Sequence, residues 1–359
     1  MSKILYAAGT MEHIKSFHLP YISALREAGH EVLVMARGKD ADFDISFVKK
    51  MFSLKNLACI RKIRRILKRE RFDAVILNTT LAAFNVRCAM SRRNRPKVIN
   101  FVHGYMFVPE PKTIRDKIFL FCEKLLRKKT DCIMVMNDDD LAIANRYKLC
   151  RGDIKMTLGM GARVDDEPKI PTELIYKYHQ SEGKYIISFV GELYKSKNQR
   201  MLICALPEIQ IEIPNAVLWL VGEGVDRQEL VTLADELGLS DSVYFMGKRN
   251  NPCDYIRASD IYVSASRKEG MPFNILEALG CGKTVIASDV KGHKDIIENG
   301  KSGFLYPKDD INEFVRLVKA VYNGALSINP DDAVERYKKF SFDNVFEKTL
   351  GAMKELISK

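Results

Sequence analysis

The stretch DIYVSASRKEGMPFNILEALGCGKTVIASD, residues 260–289, places two short apolar segments on either side of a helix-forming one. The outer segments, at 260–265 and 284–289, are rich in β-branched residues and are typical of buried strands. Pro272 is suited to the first turn of the helix that follows it. A strand, a helix and a second strand in this order predict a βαβ unit with a parallel sheet.

The same alternation runs along nearly the whole chain. Further strand candidates are KILYAA (3–8), EVLVMA (31–36), DAVILN (73–78), KVINFV (97–102), CIMVMN (132–137), KYIISFVG (184–191), AVLWLVG (216–222), SVYFMG (242–247) and GFLYP (303–307). Helical patterns separate them, notably at 17–29, 54–70, 80–93 and 113–129. Near-continuous apolar strands between helices indicate parallel sheets covered on both faces. The sequence therefore predicts an α/β protein.

The length of 359 residues exceeds what one hydrophobic core usually supports, so two domains are expected. Gly, Pro and charged residues interrupt the alternation at 159–183, which we interpret as a hinge. We expect two Rossmann-like domains facing each other across a cleft, an acceptor-binding one at 1–165 and a donor-binding one at 166–340. A helix at 341–359 is expected to pack back toward the first domain. Ligands of open α/β sheets bind at the carboxyl ends of the strands, which would line the cleft.

Composition limits the class of protein. A hydrophobic content of 47% is typical of a globular chain, and no apolar run approaches the roughly 18 residues of a membrane-spanning helix. The amino-terminal residues show no signal-peptide pattern. The eight cysteines form no CxxC pair, which favours reduced thiols over disulfides or a zinc site. We expect a cytoplasmic protein.

Positive charge is concentrated in the first half of the chain. Residues 1–165 carry 32 Lys and Arg against 17 Asp and Glu, a net charge of +15, whereas the remainder carries −4. Segment 49–71 has ten basic residues, with Leu57, Ile60, Ile63 and Leu67 at helical spacing. Such a basic amphipathic helix suits an anionic membrane surface at the inner face of the cell membrane. The alternative is that its charges are simply solvated. Nucleic acid is not an expected partner, since no recognition motif accompanies the charge.

Two acidic residues lie eight positions apart in the opening stretch. Glu269 and Glu277 could suggest acid–base chemistry or a metal site. However, the loop at 264–272 and the start of the helix after it form a site suited to phosphate, with one carboxylate on each side. The carboxylates would then accept hydrogen bonds from sugar hydroxyls. The alternative is a solvated loop residue and an ordinary helix residue.

Together these segments resemble a known family. SASRKEGMPFNILEALGCGKTVIASDVKGHKDIIENGKSGFLY (264–306) is similar to the donor-binding region of retaining, GT-B-fold glycosyltransferases of family four, whose signature is E-G-x-P-x-x-x-x-E followed by A-x-x-x-G-x-x-V-I-A-S-D and a later G-F-L. FVGELYKSKNQ (189–199) resembles the family's G-R-L-x-x-x-K segment, and VINFVHGYMF (98–107) its His-Gly segment. His13 and FHLP at 17–20 are most similar to the capsule and exopolysaccharide branch.

The resemblance implies roles for individual residues. His103, Glu269 and Lys197 would be catalytic, with Lys197 pairing with the donor diphosphate, and His13 would lie on the acceptor side. The implied donor-binding residues are Gly9, Thr10, Lys197, Glu269, Gly270, Met271, Pro272, Phe273, Asn274 and Glu277, with Glu277 on the ribose and Glu269 on the transferred sugar. Glu192 departs from the family, which commonly has Arg there, so one phosphate-neutralising cation is missing.

Two weaker motifs have structural interpretations. Residues Asn137 to Asp140 could be an acidic metal motif, but they follow a strand and precede a helix, where Asn and Asp cap exposed N–H groups. GEG at 222–224 lacks the third glycine of a dinucleotide fingerprint and is interpreted as a strand-to-helix connection. No metal and no cofactor are therefore expected.

The resemblance implies a retaining, metal-independent glycosyltransferase. Its co-substrate would be a nucleotide-diphosphate sugar, UDP-linked, and its acceptor a lipid-linked or cell-surface glycan in polysaccharide biosynthesis. Alternatives are a GT-B-fold sugar-nucleotide epimerase, a phosphorylase, or a non-catalytic membrane-attached scaffold.

Overall fold

The computed structural model describes residues 1–47, 53–91 and 95–358. These residues form two compact units. Unit 1 comprises Met1–Gly161 with Phe342–Lys359, and unit 2 comprises Ala162–Ser341. Each contains one parallel sheet with helices, so the prediction of an α/β protein is confirmed.

Unit 1 is built on a seven-stranded sheet in the order β3-β2-β1-β4-β5-β6-β7. The strands are β1 (Lys3–Thr10), β2 (Glu31–Arg37), β3 (Phe43–Asp44), β4 (Ala74–Leu77), β5 (Lys97–Val102), β6 (Cys132–Val135) and β7 (Ile154–Met156). The helices among them are α1 (Met11–Phe17), α2 (Leu19–Glu27), α3 (Leu54–Glu70), α4 (Thr80–Ala89), α5 (Ile114–Leu126) and α6 (Asp138–Tyr147). Every residue of β4 and β6 is buried, which explains their unbroken apolar sequences.

Unit 2 has a six-stranded parallel sheet in the order β10-β9-β8-β11-β12-β13. Its elements are α7 (Thr172–His179), β8 (Tyr185–Val190), α8 (Gln199–Gln210), β9 (Ala216–Val221), α9 (Arg227–Glu236), β10 (Val243–Gly247), α10 (Pro252–Arg257), β11 (Ile261–Ser264), α11 (Phe273–Gly280), β12 (Thr284–Ser288), α12 (His293–Ile296), β13 (Phe304–Tyr306), α13 (Ile311–Tyr322) and α14 (Pro330–Lys338). The βαβ unit predicted from 260–289 is therefore present as β11, α11 and β12.

The last helix, α15 (Phe342–Ser358), lies in unit 1. The ring of Phe346 lies 4.9 Å from that of Tyr21, and Thr349 Oγ1 donates to the Gly159 carbonyl over 3.4 Å. Gly161 has a φ of +77°, and a Cβ there would lie 2.4 Å from the Cα of Phe342. Only glycine therefore allows the chain to pass so close to the start of α15.

The segment interpreted as a hinge, 159–183, includes the boundary between the two units at Gly161/Ala162. It also contains α7, which was not predicted and which is held by the buried Ile175 and by a hydrogen bond of 2.7 Å from Tyr176 Oη to the Ala258 carbonyl. In α3, the predicted stripe residues Ile60, Ile63 and Leu67 pack against the core, whereas Leu57 is 44% exposed. Residues 49–52 of the predicted basic segment lie outside the described residues.

Over the part of the chain that the structure describes, no helix is both long and apolar enough to span a membrane. All eight cysteines are free thiols.

Candidate active site

In unit 2, strands β8 and β11 pair in parallel, and the loops that follow them are held together by hydrogen bonds. The backbone N–H of Arg267 donates to the Ser196 carbonyl over 2.8 Å. The carboxylate of Asp309 then links both loops, because it accepts hydrogen bonds from Arg267 Nε at 2.8 Å and from Asn198 Nδ2 at 3.0 Å. The predicted donor-binding residues of unit 2 lie on these loops and on α11.

Glycine allows close backbone packing at the base of these loops. A Cβ on Gly222 would lie 1.9 Å from the Gly191 carbonyl oxygen, and one on Gly224 would lie 2.2 Å from that of Leu193. Both glycines belong to the GEG motif, which lies between β9 and α9. The motif is thus a strand-to-helix connection, as predicted, and its glycines are needed for packing.

Lys197 and Glu269 contact each other directly. Lys197 Nζ lies 2.5 Å from Glu269 Oε1, and the two side chains are only 22% and 10% exposed. Glu192, at the position where the family commonly has Arg, is exposed and contributes its backbone carbonyl as an acceptor for Gln199 Nε2 at 2.9 Å. The two residues implied to bind the diphosphate and the transferred sugar therefore already form one ion pair.

Glu277 lies more than a turn inside α11 and differs from Glu269 in its surroundings. Among the described residues, its carboxylate has no hydrogen-bond or ion-pair partner. Burial raises its pKa to about 7, because removing the group from water disfavours the charged form. A carboxylate without a partner, held partly buried, is suited to accept hydrogen bonds from a polar ligand.

The amino-terminal end of α11 has no side-chain cap. Pro272 is the N-cap residue, directly before Phe273, so the helix has the predicted bounds. In the first turn, Asn274 Oδ1 accepts from the Ile275 N–H over 3.1 Å, and Asn274 Nδ2 donates to the Val190 carbonyl over 2.8 Å. The N-cap residue itself supplies no side-chain acceptor, and the positive end of the helix dipole lies next to the loop 265–272.

The loop after β12 contributes residues that the sequence analysis missed. A Cβ on Gly292, whose φ is +88°, would lie 2.8 Å from the Cβ of Glu269. The buried His293 follows, and its Nδ1 donates to the Ser288 carbonyl over 2.8 Å. Burial lowers the pKa of His293, so the imidazole is neutral. The sequence signal was a Gly-His pair shortly after a strand.

In unit 1, the predicted donor-binding residues Gly9 and Thr10 lie at the end of β1, which pairs with β4. The Oγ1 of Thr10 caps α1 by accepting from the His13 N–H over 3.2 Å. A Cβ on Gly9 would lie 3.3 Å from Thr79 Oγ1. Thr79 has a φ of +67°, which is strained for a β-branched residue. Its Oγ1 is buried and has no hydrogen-bond partner among the residues that the structure describes. Such strain at the end of a central strand is typical of functional sites.

Three histidines form a cluster next to this loop. His13 Nε2 lies 3.1 Å from His18 Nε2, and His18 Nδ1 lies 3.0 Å from Tyr6 Oη. The ring of His103 is 5.3 Å from that of His13, and its buried Nε2 has no described hydrogen-bond partner. Burial lowers the pKa of His13 to about 4 and that of His103 to about 3, so both rings are neutral near pH 7.

The cluster could also hold a metal ion. Within the described ranges, His13, His18 and His103 are the only group of three or more His, Cys, Asp or Glu residues placed for this, with ligand atoms within 4.8 Å of one another. The 137–140 segment instead caps α6, as predicted, since Asn137 Oδ1 accepts from the Asp140 N–H over 2.9 Å. Asp140 Oδ1 in turn accepts from the Tyr105 N–H over 3.0 Å.

Comparison with known proteins identifies the class. The family described as Glycosyl transferases group 1 matches residues 172–340, and Glycosyltransferase Family 4 matches residues 21–156. The chain belongs to these glycosyltransferases, and the resemblance seen in the sequence is confirmed.

Two relatives are similar over most of their length. EpsD of Bacillus subtilis, named as a glycosyltransferase, is 31% identical over 333 residues, which are 89% of this chain and 87% of EpsD. A UDP-Gal:α-D-GlcNAc-diphosphoundecaprenol α-1,3-galactosyltransferase of Escherichia coli is 28% identical over 297 residues, 79% of this chain and 74% of the relative.

Solved structures match the fold of the chain. Anabaena Alr3699/HepE in complex with UDP has a TM-score of 0.78 at 18% identity, covering 99% of this chain and 100% of that one. Sucrose-phosphate synthase of Thermosynechococcus elongatus has a TM-score of 0.79 at 18% identity, covering all of both chains. The predicted GT-B fold with two Rossmann-like domains is confirmed.

Proposed function

We propose that the protein is a retaining, metal-independent glycosyltransferase that moves a sugar from a UDP-linked donor to a lipid-linked glycan. The observation that carries this proposal is the carboxylate of Glu277, which lies on α11 and has no hydrogen-bond or ion-pair partner among the described residues. The N-cap residue of α11 makes no side-chain cap, and Glu269, in the loop just before this helix, is paired with Lys197. Two similar proteins support it, since the solved structure of Anabaena Alr3699/HepE contains UDP-glucose and the Escherichia coli relative is a galactosyltransferase for a diphosphoundecaprenol-linked sugar.

The donor contacts follow from the chemistry of unit 2. The diphosphate would lie at the start of α11 and pair with Lys197, whose ammonium is a compact counter-charge. Glu277 would accept hydrogen bonds from the ribose hydroxyls. Glu269, released from Lys197 as the phosphates arrive, would accept a hydrogen bond from the transferred sugar. Gly270, Met271, Phe273 and Asn274 would contribute through the backbone of the loop and the first turn.

Catalysis would consist mainly of stabilising the departing diphosphate. The bond between the anomeric carbon and the phosphate oxygen breaks, and its electron pair leaves with the diphosphate. The acceptor hydroxyl attacks from the same face and its proton passes to the departing oxygen, which retains the anomeric configuration. His103 would lie beside the reacting sugar, Gly9 and Thr10 would approach the diphosphate, and His13 would contact the acceptor.

The decisive experiment combines a donor screen with analysis of the product. The purified protein is incubated with a panel of UDP-sugars and a short-chain diphosphoprenyl acceptor, and release of UDP is measured. NMR of the product then gives the anomeric configuration. We expect turnover of one donor with retention. An inverted product would contradict the retaining mechanism, and tight donor binding without turnover of any donor would favour a non-catalytic scaffold.

Metal independence is tested separately. Because the diphosphate would be neutralised by Lys197 and by the start of α11, activity should survive excess EDTA within about twofold. The measurement compares initial rates before and after dialysis against EDTA. Activity lost in EDTA and restored by Mg²⁺ or Mn²⁺ would overturn this part of the proposal, and a variant with His13 and His18 changed to Gln would show whether the histidine cluster holds the ion.

A lipid-linked acceptor also places the protein at a membrane. In this proposal the basic first half adsorbs to the anionic inner face of the cell membrane. The exposed cations of α3 support this, namely Arg61, Lys62, Arg64, Arg65, Lys68 and Arg69. Each such residue near an anionic surface contributes about 1 kcal/mol.

A further inference from the structure

Helix α5 of unit 1 carries an unusual apolar surface. Ile114, Ile118, Phe121 and Leu125 are 79%, 44%, 66% and 55% exposed. Throughout the described residues, no other helix or strand exposes more than two large hydrophobic side chains. The helix itself is well formed, since Thr113 Oγ1 caps it by accepting from the Asp116 N–H over 3.1 Å.

The four side chains form one continuous stripe. Successive residues of a helix are rotated by about 100°, so the spacings of four, three and four place them within an arc of about 60°. The opposite face is already buried in unit 1 through Leu120, Cys122 and Leu126. The stripe is therefore additional to the face that holds the helix on its domain.

Cations surround the stripe. Six basic side chains between residues 112 and 128 are exposed, namely Lys112, Arg115, Lys117, Lys124, Arg127 and Lys128. The only acidic residues in this segment are Asp116 and Glu123, and Glu123 is buried in an ion pair of 2.8 Å with Arg87. The face around the stripe is thus both apolar and strongly positive.

We infer that α5 lies in the plane of an anionic lipid bilayer, with its apolar stripe inserted at the boundary between headgroups and acyl chains. The flanking Lys and Arg side chains would extend to the lipid phosphates. This inference deepens the proposed function, on which it rests only through the lipid-linked acceptor. It differs from adsorption by α3, which is electrostatic and buries no apolar surface.

The charge decides between a bilayer and a second copy of the chain. Two copies meeting through this face would bring six cations of each close to those of the other, which is unfavourable. An anionic bilayer instead supplies both an apolar phase for the stripe and phosphates for the cations. The occupant that matches both properties is the lipid surface.

A single introduced tryptophan tests insertion. The chain has one tryptophan, Trp219, which is fully buried in unit 2 and gives a constant background. In full-length protein, Phe121→Trp should show a blue shift and protection from acrylamide when vesicles of phosphatidylcholine and phosphatidylglycerol are added. The matched control is Ile211→Trp, at a residue of unit 2 that is 79% exposed, and it should show neither change.

Vesicle co-sedimentation separates insertion from charge. The double variant Ile114→Gln with Phe121→Gln should bind anionic vesicles at least about tenfold more weakly at high salt, where surface charge is screened. A control with Ile211→Gln and Val225→Gln, two exposed residues of unit 2, should bind as the unmodified protein does. Changing Arg61, Arg64, Arg65 and Lys68 of α3 to Gln should weaken binding only at low salt.

Several results would overturn the inference. No blue shift at Phe121→Trp, or equal vesicle binding by the α5 variant and the unmodified protein, would exclude insertion. A blue shift that rises with protein concentration without lipid, together with a dimer in analytical ultracentrifugation, would assign the face to a second copy. Donor turnover with a water-soluble acceptor, measured without vesicles, tests the transferase assignment independently of all these outcomes.

Discussion

Replacing Lys197 by Met should lower the rate of sugar transfer by about 10²- to 10³-fold, the loss typical when one group that stabilises transition-state charge is removed. The ammonium is expected to meet the diphosphate as negative charge develops on it, so kcat should fall more than the donor KM rises. Lys195→Met is the matched control, since Lys195 is exposed two residues earlier in the same loop. It should cost less than about threefold.

Because Lys197 also forms an ion pair with Glu269, the effect of Lys197→Met on transfer could arise from the lost ion pair. A second variant separates the two effects. In the unliganded protein Lys197→Met leaves the carboxylate of Glu269, which is 10% exposed, without its cation. The double variant Lys197→Met with Glu269→Gln removes both charges and should restore the melting temperature while transfer stays low. If the double variant recovers transfer as well, Lys197 serves only to neutralise Glu269, and its role at the diphosphate is wrong.

Regular elements of this fold could be predicted because their apolar periodicity reflects burial. Strands such as β4 and β6 are buried on both faces, and the sequence shows them as unbroken apolar runs. The strand β3 was missed because two residues carry no periodicity. Helix α7 was missed because Pro and charged residues surround it, whereas tertiary contacts of Ile175 and Tyr176 with unit 2 hold it in place.

The candidate site residues differ in how far the sequence indicates them. Glu269, Glu277 and Lys197 could be proposed from the sequence because each lies at a fixed spacing in a motif. His18 received less weight than His13 because sequence cannot show that its Nε2 lies 3.1 Å from His13 Nε2. The importance of Gly292 and of the strained Thr79 could not be predicted, because it follows from contacts between segments far apart in the sequence. Gly292 packs against Glu269, and Thr79 lies next to Gly9.

The apolar stripe of α5 illustrates a different limit. Its sequence, IRDKIFLFCEKLL, has apolar residues on more than one face, so periodicity alone cannot tell which face the domain buries. The sequence analysis predicted membrane binding for segment 49–71 because its density of basic residues is higher than that of α5. The structure shows that α3 has its apolar stripe largely buried and its cations exposed, whereas α5 exposes cations and apolar side chains together.

Replacing Glu277 by Gln should weaken donor binding and yet stabilise the unliganded protein. Losing a charge-assisted hydrogen bond to the ribose costs about 1.5–3 kcal/mol, or roughly 10- to 150-fold in the donor dissociation constant. Calorimetric titration with the preferred UDP-sugar measures this directly. Glu208→Gln, which removes an exposed carboxylate from α8, is the control and should change neither property. Unchanged donor affinity in folded Glu277→Gln would exclude the ribose role.

The pH dependence makes the test of Glu277 specific. Burial raises the pKa of this carboxyl to about 7 from an ordinary value of 4.5, so the folded chain holds a proton there that the unfolded chain releases. Its contribution to stability is therefore present in full below about pH 4.5 and is lost as pH rises through 7. The neutral amide of Glu277→Gln avoids that loss, and its gain in unfolding free energy should reach about 1–3 kcal/mol by pH 8.

Donor affinity should follow the same titration in the opposite direction. Ribose hydroxyls donate to the ionised carboxylate, so donor binding requires Glu277 to lose its proton. A nucleotide-diphosphate sugar has no phosphate that titrates near neutrality, which leaves this group as the source of the effect. Affinity should rise between about pH 6 and 8 in the unmodified protein, with a proton released on binding, and stay flat in Glu277→Gln. A pH profile shared by both proteins would mean that the titrating group lies elsewhere, because only Glu277 differs between them.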